Sequence, residues 1–72
     1  MSTKIAIGPD GGFWSESGPL ETPVGVMVRF SVPTLHGTGK MAGRVVRTLP
    51  DGRLEVRAQL GGYYTINAEE TL

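Results

Sequence analysis

Cysteine is absent from this 72-residue chain, histidine and tryptophan occur once each, and aromatic residues make up only 7%. Without cysteine there is no disulfide framework and no thiolate metal site, so stability has to come from core packing or self-association. One histidine, with no pair of acids spaced to help it, builds no zinc centre. Apolar runs reach only a few residues, which excludes a membrane-spanning helix. Met1-Ser2-Thr3-Lys4-Ile5 lacks the charged-then-apolar profile of a signal peptide. The expected setting is therefore the cytoplasm, in a bacterium or its phage or plasmid. The length allows one domain, which buries only about 60% of the surface its unfolded chain exposes. Two-lobed enzymes, Rossmann folds and folds with a deep private cleft are excluded on size.

Glycine and proline, by contrast, are plentiful: 11 and 5 residues. They interrupt almost every window long enough for a helix, and each interior glycine costs a helix about 1 kcal/mol against alanine. Period-two alternation replaces helical periodicity. In residues 26–32 the valines and Phe30 fall on one face, with Met27, Arg29 and Ser31 on the other. Residues 54–60 repeat the pattern and predict Leu54, Val56, Ala58 and Leu60 inward. Residues 41–49 form a third strand whose alternation slips at Val45-Val46, with Gly43 as the bulge or barrel corner that absorbs the slip. Tyr63-Tyr64-Thr65-Ile66 makes a short fourth.

Leu49-Pro50-Asp51-Gly52-Arg53 has proline to preset φ and glycine for a positive-φ position, which is a hairpin turn. Gly61-Gly62 joins the next two strands as tightly. Pro-Asp-Gly recurs at Pro9 as turn chemistry without a wider repeat. Ile5-Ala6-Ile7 and Phe13-Trp14-Ser15 flank that first turn as a hairpin, and residues 15–23 read as an irregular linker. At the other end Asn67 caps a single helical turn, with Glu70 in the capping-box position and Leu72 tucked back on the domain. The expected fold class is all-β: a small barrel of about five antiparallel strands over residues 24–72, a closing helical turn, and an N-terminal arm or hairpin over residues 1–23.

Val26-Met27-Val28-Arg29-Phe30, a loop, Gly43-Arg44-Val45-Val46, the Asp51-Gly52 turn, Leu54-Glu55-Val56 and the closing residues 66–72 resemble an SH3-like barrel of the KOW or Tudor kind. The resemblance covers about two thirds of the chain and consists of core and turn positions. It implies binding of DNA, RNA, peptides or protein surfaces, and selects none of them. Type II dihydrofolate reductases are also short SH3-like barrels. Where their Val-Gln-Ile-Tyr strand falls, this chain has Tyr64-Thr65-Ile66-Asn67. Only Ile66 is shared, and the glutamine and tyrosine that hold substrate and cofactor have no counterpart.

No catalytic constellation emerges, and neither a metal nor a cofactor is expected. His36 lies in a connecting loop over residues 33–39, with no serine in a nucleophile-elbow context. Gly37-Thr38-Gly39-Lys40-Met41-Ala42 matches Gly-x-Gly-x-x-Ala but leads into a strand, so it reads as a flexible connection and not a dinucleotide site. Asp10 and Asp51 are turn residues, and Glu69 and Glu70 belong to the terminal turn.

Charge is unevenly spread although seven basic and seven acidic residues cancel. Residues 1–23 carry a balance of −2 and residues 24–66 one of +4, before Glu69 and Glu70 restore zero. The basic segment holds Arg29, Lys40, Arg44, Arg47, Arg53 and Arg57, and arginine pairs bidentately with phosphate and stacks on bases. With Tyr63 and Tyr64 nearby for stacking, these residues are the candidate nucleic-acid contacts for DNA or RNA. The competing reading is a solvated sheet face whose charges protect the edges. A second functional reading is a protein-interaction or self-association module using strand edges, with Phe13, Trp14 and Met27 as apolar contacts. Trp14 is otherwise expected in the domain's own core. The two functional readings separate on whether the arginines share one face, and the slip at Val45-Val46 leaves Arg44 and Arg47 ambiguous.

Overall fold

A computed structural model describes residues 4–72; Met1, Ser2 and Thr3, on which the N-terminal profile partly rests, lie outside the described residues. The chain is all-β, and the described residues form seven strands in two antiparallel sheets. The N-terminal sheet is a meander of β1 (Ala6–Ile7), β2 (Phe13–Ser15) and β3 (Gly18–Leu20). The main sheet runs β4 (Met27–Thr34), β5 (Gly37–Thr48), β6 (Arg53–Ala58) and β7 (Tyr63–Asn67), in sequence order. A 3-10 turn, Ala68–Glu70, follows. Among the described residues no helix is long and apolar enough to cross a membrane.

The alternation in β4 and β6 does what period-two chemistry requires. Val28, Phe30, Leu54 and Val56 are at most 1% exposed and share the concave face with Val45, Ile66, Ala68 and Ile5. Each valine, leucine, isoleucine or phenylalanine among them contributes about 1.5–3 kcal/mol on burial. Leu60 departs from the expectation and is 89% exposed. β6 stops at Ala58, whose carbonyl takes the Gly61 N–H and whose N–H reaches the Gly62 carbonyl, so Leu60 rides on the turn.

Two segments expected to be irregular are ordered strands. Residues 15–23 contribute β3, which pairs with β2 through Trp14 opposite Pro19. The loop over residues 33–39 is a tight hairpin: Pro33 pairs with Thr38 and Thr34 with Gly37, leaving Leu35 and His36 as the turn. Register explains the tolerance of Pro33. The Val45 N–H reaches the Val26 carbonyl, so by alternation the missing N–H of Pro33 points away from β5.

β5 is the strand on which the sheet bends. Its first part pairs with β4 and its last part with β6, with Gly43 and Arg44 in register with both strands and Val45 bonded to Val26 and Gly25 on one side and paired with Val56 on the other. A Cβ at position 43 would stand 2.5 Å from Val56 Cγ1 and 2.6 Å from the Arg57 carbonyl oxygen, so glycine admits the close approach of β6. The bulge itself lies at Val46, between the pairs Val45–Val56 and Arg47–Glu55, rather than at Gly43. One extra residue restores alternation after an odd spacing, so Arg44 and Arg47 both point outward.

The two Pro-Asp-Gly turns are built alike. Gly8 and Leu49 each donate to the residue after the glycine at 2.8 Å and accept from the glycine N–H at 3.0 Å. Asp10 and Asp51 each accept the backbone N–H two residues on, from Gly12 at 3.0 Å and Arg53 at 3.1 Å. These bonds stabilise the ionised carboxylates and lower both pKa values from 3.8. For Asp10 the Gly12 N–H is the main cause, followed by the Trp14 indole; for Asp51 it is the Arg53 N–H, followed by the Arg53 guanidinium.

The chain ends meet through one hydroxyl. Thr71 is 3% exposed. Its Oγ1 accepts the Ile5 N–H at 2.9 Å and has its single proton to give to the Ile5 carbonyl at 3.1 Å or the Ala68 carbonyl at 2.9 Å. Leu72 then donates its N–H to the Arg29 carbonyl at 2.7 Å, beside a bridge between Phe30 and Thr71. The docking element is thus Thr71 with the backbone of Leu72, and the Leu72 side chain stays 48% exposed instead of tucking inward. Asn67 makes no backbone cap; its side-chain amide donates to Glu70 Oε1 at 2.8 Å.

Thr71→Val keeps the shape and leaves the buried Ile5 N–H unpaired, an expected loss of about 1–3 kcal/mol. Urea unfolding measures it, with Thr71→Ser recovering most of the loss; equal stability of all three proteins contradicts the clasp. The carboxyls of Asp10 and Asp51 should titrate below 3.8 by NMR. Because the folded values are depressed, the turns' contribution is present above the unfolded pKa and lost as pH falls through the folded one.

Candidate functional site

The register of the main sheet lines up a row across all four strands: Met27 opposite Arg44, Arg44 opposite Arg57, Arg57 opposite Tyr63. The Gln59 N–H reaches the Ala42 carbonyl and the Ala58 N–H the Gly62 carbonyl. By alternation Arg44–Arg57 is a hydrogen-bonded pair, with Cα atoms about 5.5 Å apart, while Arg57–Tyr63 and Met27–Arg44 are the closer kind, at about 4.5 Å. All four side chains leave the convex face, since their strand neighbours Val28, Val45, Val56 and Tyr64 turn toward the core. Met27, Arg44, Val46, Arg57, Ala58, Gln59 and Gly61 line a shallow depression of about 460 Å³ on this face.

Like charges directly opposed across a sheet are destabilising, so the Arg44–Arg57 pair is a local cost that packing does not explain. Arg44 is partly held: its Nη1 donates to the Gly25 carbonyl at 2.8 Å, leaving the rest of the guanidinium fork free. Neither arginine is among the ion pairs of the described residues, which are Arg47–Glu55 at 3.3 Å and Arg53–Asp51 at 2.6 Å. Arg29 lies on the same outer face, opposite Ala42, and Lys40 lies opposite Ser31 further toward the hairpin.

The candidates named from sequence therefore divide. Arg29, Lys40, Arg44, Arg57, Tyr63 and Met27 share the convex face. Arg47 and Arg53 are outward but engaged by Glu55 and Asp51. Tyr63 is 66% exposed, whereas Tyr64 turns inward and tilts against Phe30 with ring centroids 5.5 Å apart. Phe13 packs against the core and is spent there. Trp14, its strand neighbour, necessarily faces the other way. It is half-buried outside the core cluster, its indole so close to Gly8 that a Cβ there would collide, and its Nε1 donates to Asp10 Oδ1 at 3.4 Å. Sequence reading missed Val46 and Gln59 as lining residues. The slip had marked Val46, but only the pairing shows that it bulges outward at 37% exposure.

A second cleft, of about 520 Å³, lies between Ile7, Gly11, the Pro50-Asp51-Gly52 turn and residues 67–69. It carries Asp51 and Glu69, so it is opposite in charge to the arginine row. Among the described residues no three His, Asp or Glu side chains come together as a metal site. Compared with family models, curated proteins and solved structures, the chain matches none.

Relieving the Arg44–Arg57 repulsion with Arg57→Gln should leave the fold unchanged or raise its stability by up to about 0.5 kcal/mol at low salt, with the gain shrinking as salt screens the pair. Thermal unfolding at two ionic strengths tests this, and a clear loss of stability at low salt contradicts it.

Proposed function

We propose that this chain is a non-catalytic nucleic-acid-binding module, a small accessory protein of bacterial, phage or plasmid origin that works in the cytoplasm. The observation that carries the reading is the Arg44–Arg57 pair, unneutralised by any carboxylate and flanked by the exposed ring of Tyr63. Two guanidinium forks on adjacent strands present bidentate donors to successive phosphates. Arg29 and Lys40 extend the same polarity along β4 and β5. Tyr63 offers a face on which an unpaired base stacks, a contact commonly worth about 1–3 kcal/mol per base. Met27 closes the other end of the row with an apolar contact.

The SH3-like reading belongs to the same proposal. Four sequential strands, tight turns and a closing 3-10 turn support it, and nucleic acid is among the ligands that the resemblance to barrels of the KOW or Tudor kind implies. The arginines' common face also favours nucleic acid over the scattered distribution that a protein-interaction module would leave.

Fluorescence anisotropy with labelled single- and double-stranded oligonucleotides is the test. Binding should weaken steeply with salt, with a log–log slope of about −0.9 per phosphate neutralised on duplex and −0.7 on single strands. Arg44→Ala with Arg57→Ala should reduce that slope by about two phosphates, while Arg47→Ala with Arg53→Ala leaves it nearly unchanged. Absence of binding at low salt, or a salt slope indifferent to Arg44 and Arg57, defeats the assignment.

A further inference from the structure

The two edges of the main sheet are treated differently. On the β4 edge, Thr71 and Leu72 occupy Phe30 and Arg29, and Pro33 removes a donor further along. The β3 edge of the N-terminal sheet is three residues long and holds Pro19. β7 has none of these protections. Tyr63-Tyr64-Thr65-Ile66-Asn67 contains no charge, no proline and no bulge, and among the described residues its only strand partner is β6.

Which backbone groups stand free follows from the register. The Ala58–Gly62 bond makes Tyr64 and Ile66 the residues that bond back to β6, so the N–H and C=O groups of Tyr63, Thr65 and Asn67 point away from it. Those three positions are symmetric about Thr65. All three side chains lie on the outer face, and none of these residues is buried.

From this we propose that β7 pairs antiparallel with β7 of a second copy about a twofold axis through Thr65, independently of the nucleic-acid reading. In that register Thr65 meets Thr65 of the second copy, and Tyr63 meets Asn67 of the second copy in both directions. The Thr65 pair exchanges both of its hydrogen bonds, and in each direction the Asn67 N–H reaches the Tyr63 carbonyl, while the Asn67 carbonyl, which already opens the 3-10 turn, takes the Tyr63 N–H as a second donor. No like charge meets another across the axis: the edge is neutral, and the chain as a whole has no net charge to oppose association. Threonine opposite threonine is itself a favourable cross-strand pair. A single patch that complements itself closes as a dimer and does not propagate. The joined sheet places the arginine rows of both copies on one continuous outer face.

Sedimentation equilibrium from micromolar to millimolar protein should show a reversible monomer–dimer equilibrium. Thr65→Lys puts two ammonium groups on the axis, and Thr65→Pro removes an N–H that β6 does not use. Both should be monomeric with an unchanged circular dichroism spectrum, and Thr65→Lys decides if the proline variant unfolds. The chain lacks cysteine, so Thr65→Cys introduces a unique thiol. Its Cα separation across the axis, about 5.5 Å, lies within disulfide reach. Mild oxidation should link the folded Thr65→Cys protein and leave a Ser31→Cys control unlinked. A wild type that stays monomeric to millimolar concentration, or a dimer that survives Thr65→Lys, overturns the proposal.

Discussion

Thr71 Oγ1 holds together segments 66 positions apart, accepting from one chain end and donating to a carbonyl of either. That clasp seats Ile5 in the core, sets the 3-10 turn against β1, and lays the Leu72 backbone along β4. A curled four-stranded sheet has a concave face that its own side chains do not fill. The clasp supplies Ile5 to it, and the meander adds Phe13 and Leu20. In a chain this short, without disulfides, a satisfied buried polar junction carries unusual weight, because an unpaired N–H in the same place costs as much as a lost core side chain.

β5 translates that closed core into an outer surface. It serves β4 with one part and β6 with another, bends where Gly43 lets β6 approach, and resets its alternation at Val46. The bend keeps Val45 inside, and the reset turns Arg47 toward Glu55 while Arg44 remains opposite Arg57. Two arginines three positions apart thus reach the same face with different fates. One is neutralised and the other is left facing a like charge.

The convex face and the β7 edge share a property: each leaves unpaired what a solitary domain would be more stable pairing. The arginine row lacks counter-charges although Glu55 and Asp51 show that the sheet can supply them. Among the described residues the β7 edge lacks the proline and covering chain found on β3 and β4. On the proposed readings both are interaction surfaces, where local consistency is given up because the missing partner comes from outside.

Much of the fold was legible in residue order. Alternation in residues 26–32 and 54–58 assigned the core face, and Pro-Asp-Gly placed two turns whose bonding is local and repeats almost bond for bond. These features depend on neighbours within a few residues, and sequence holds that information directly. The strand in residues 15–23, the hairpin at Leu35-His36 and the outward Leu60 were missed because each depends on where a partner strand begins or stops. The candidate arginines were also readable as a charge imbalance, but their sorting was not. Whether an arginine meets a glutamate, a carbonyl or another arginine is set by register, and register was decided by a one-residue bulge at Val46 and by closure through Thr71. Sequence alone determined an all-β chain with a basic middle. Tertiary structure alone decided which basic groups stand side by side, because that is a relation between residues distant along the chain.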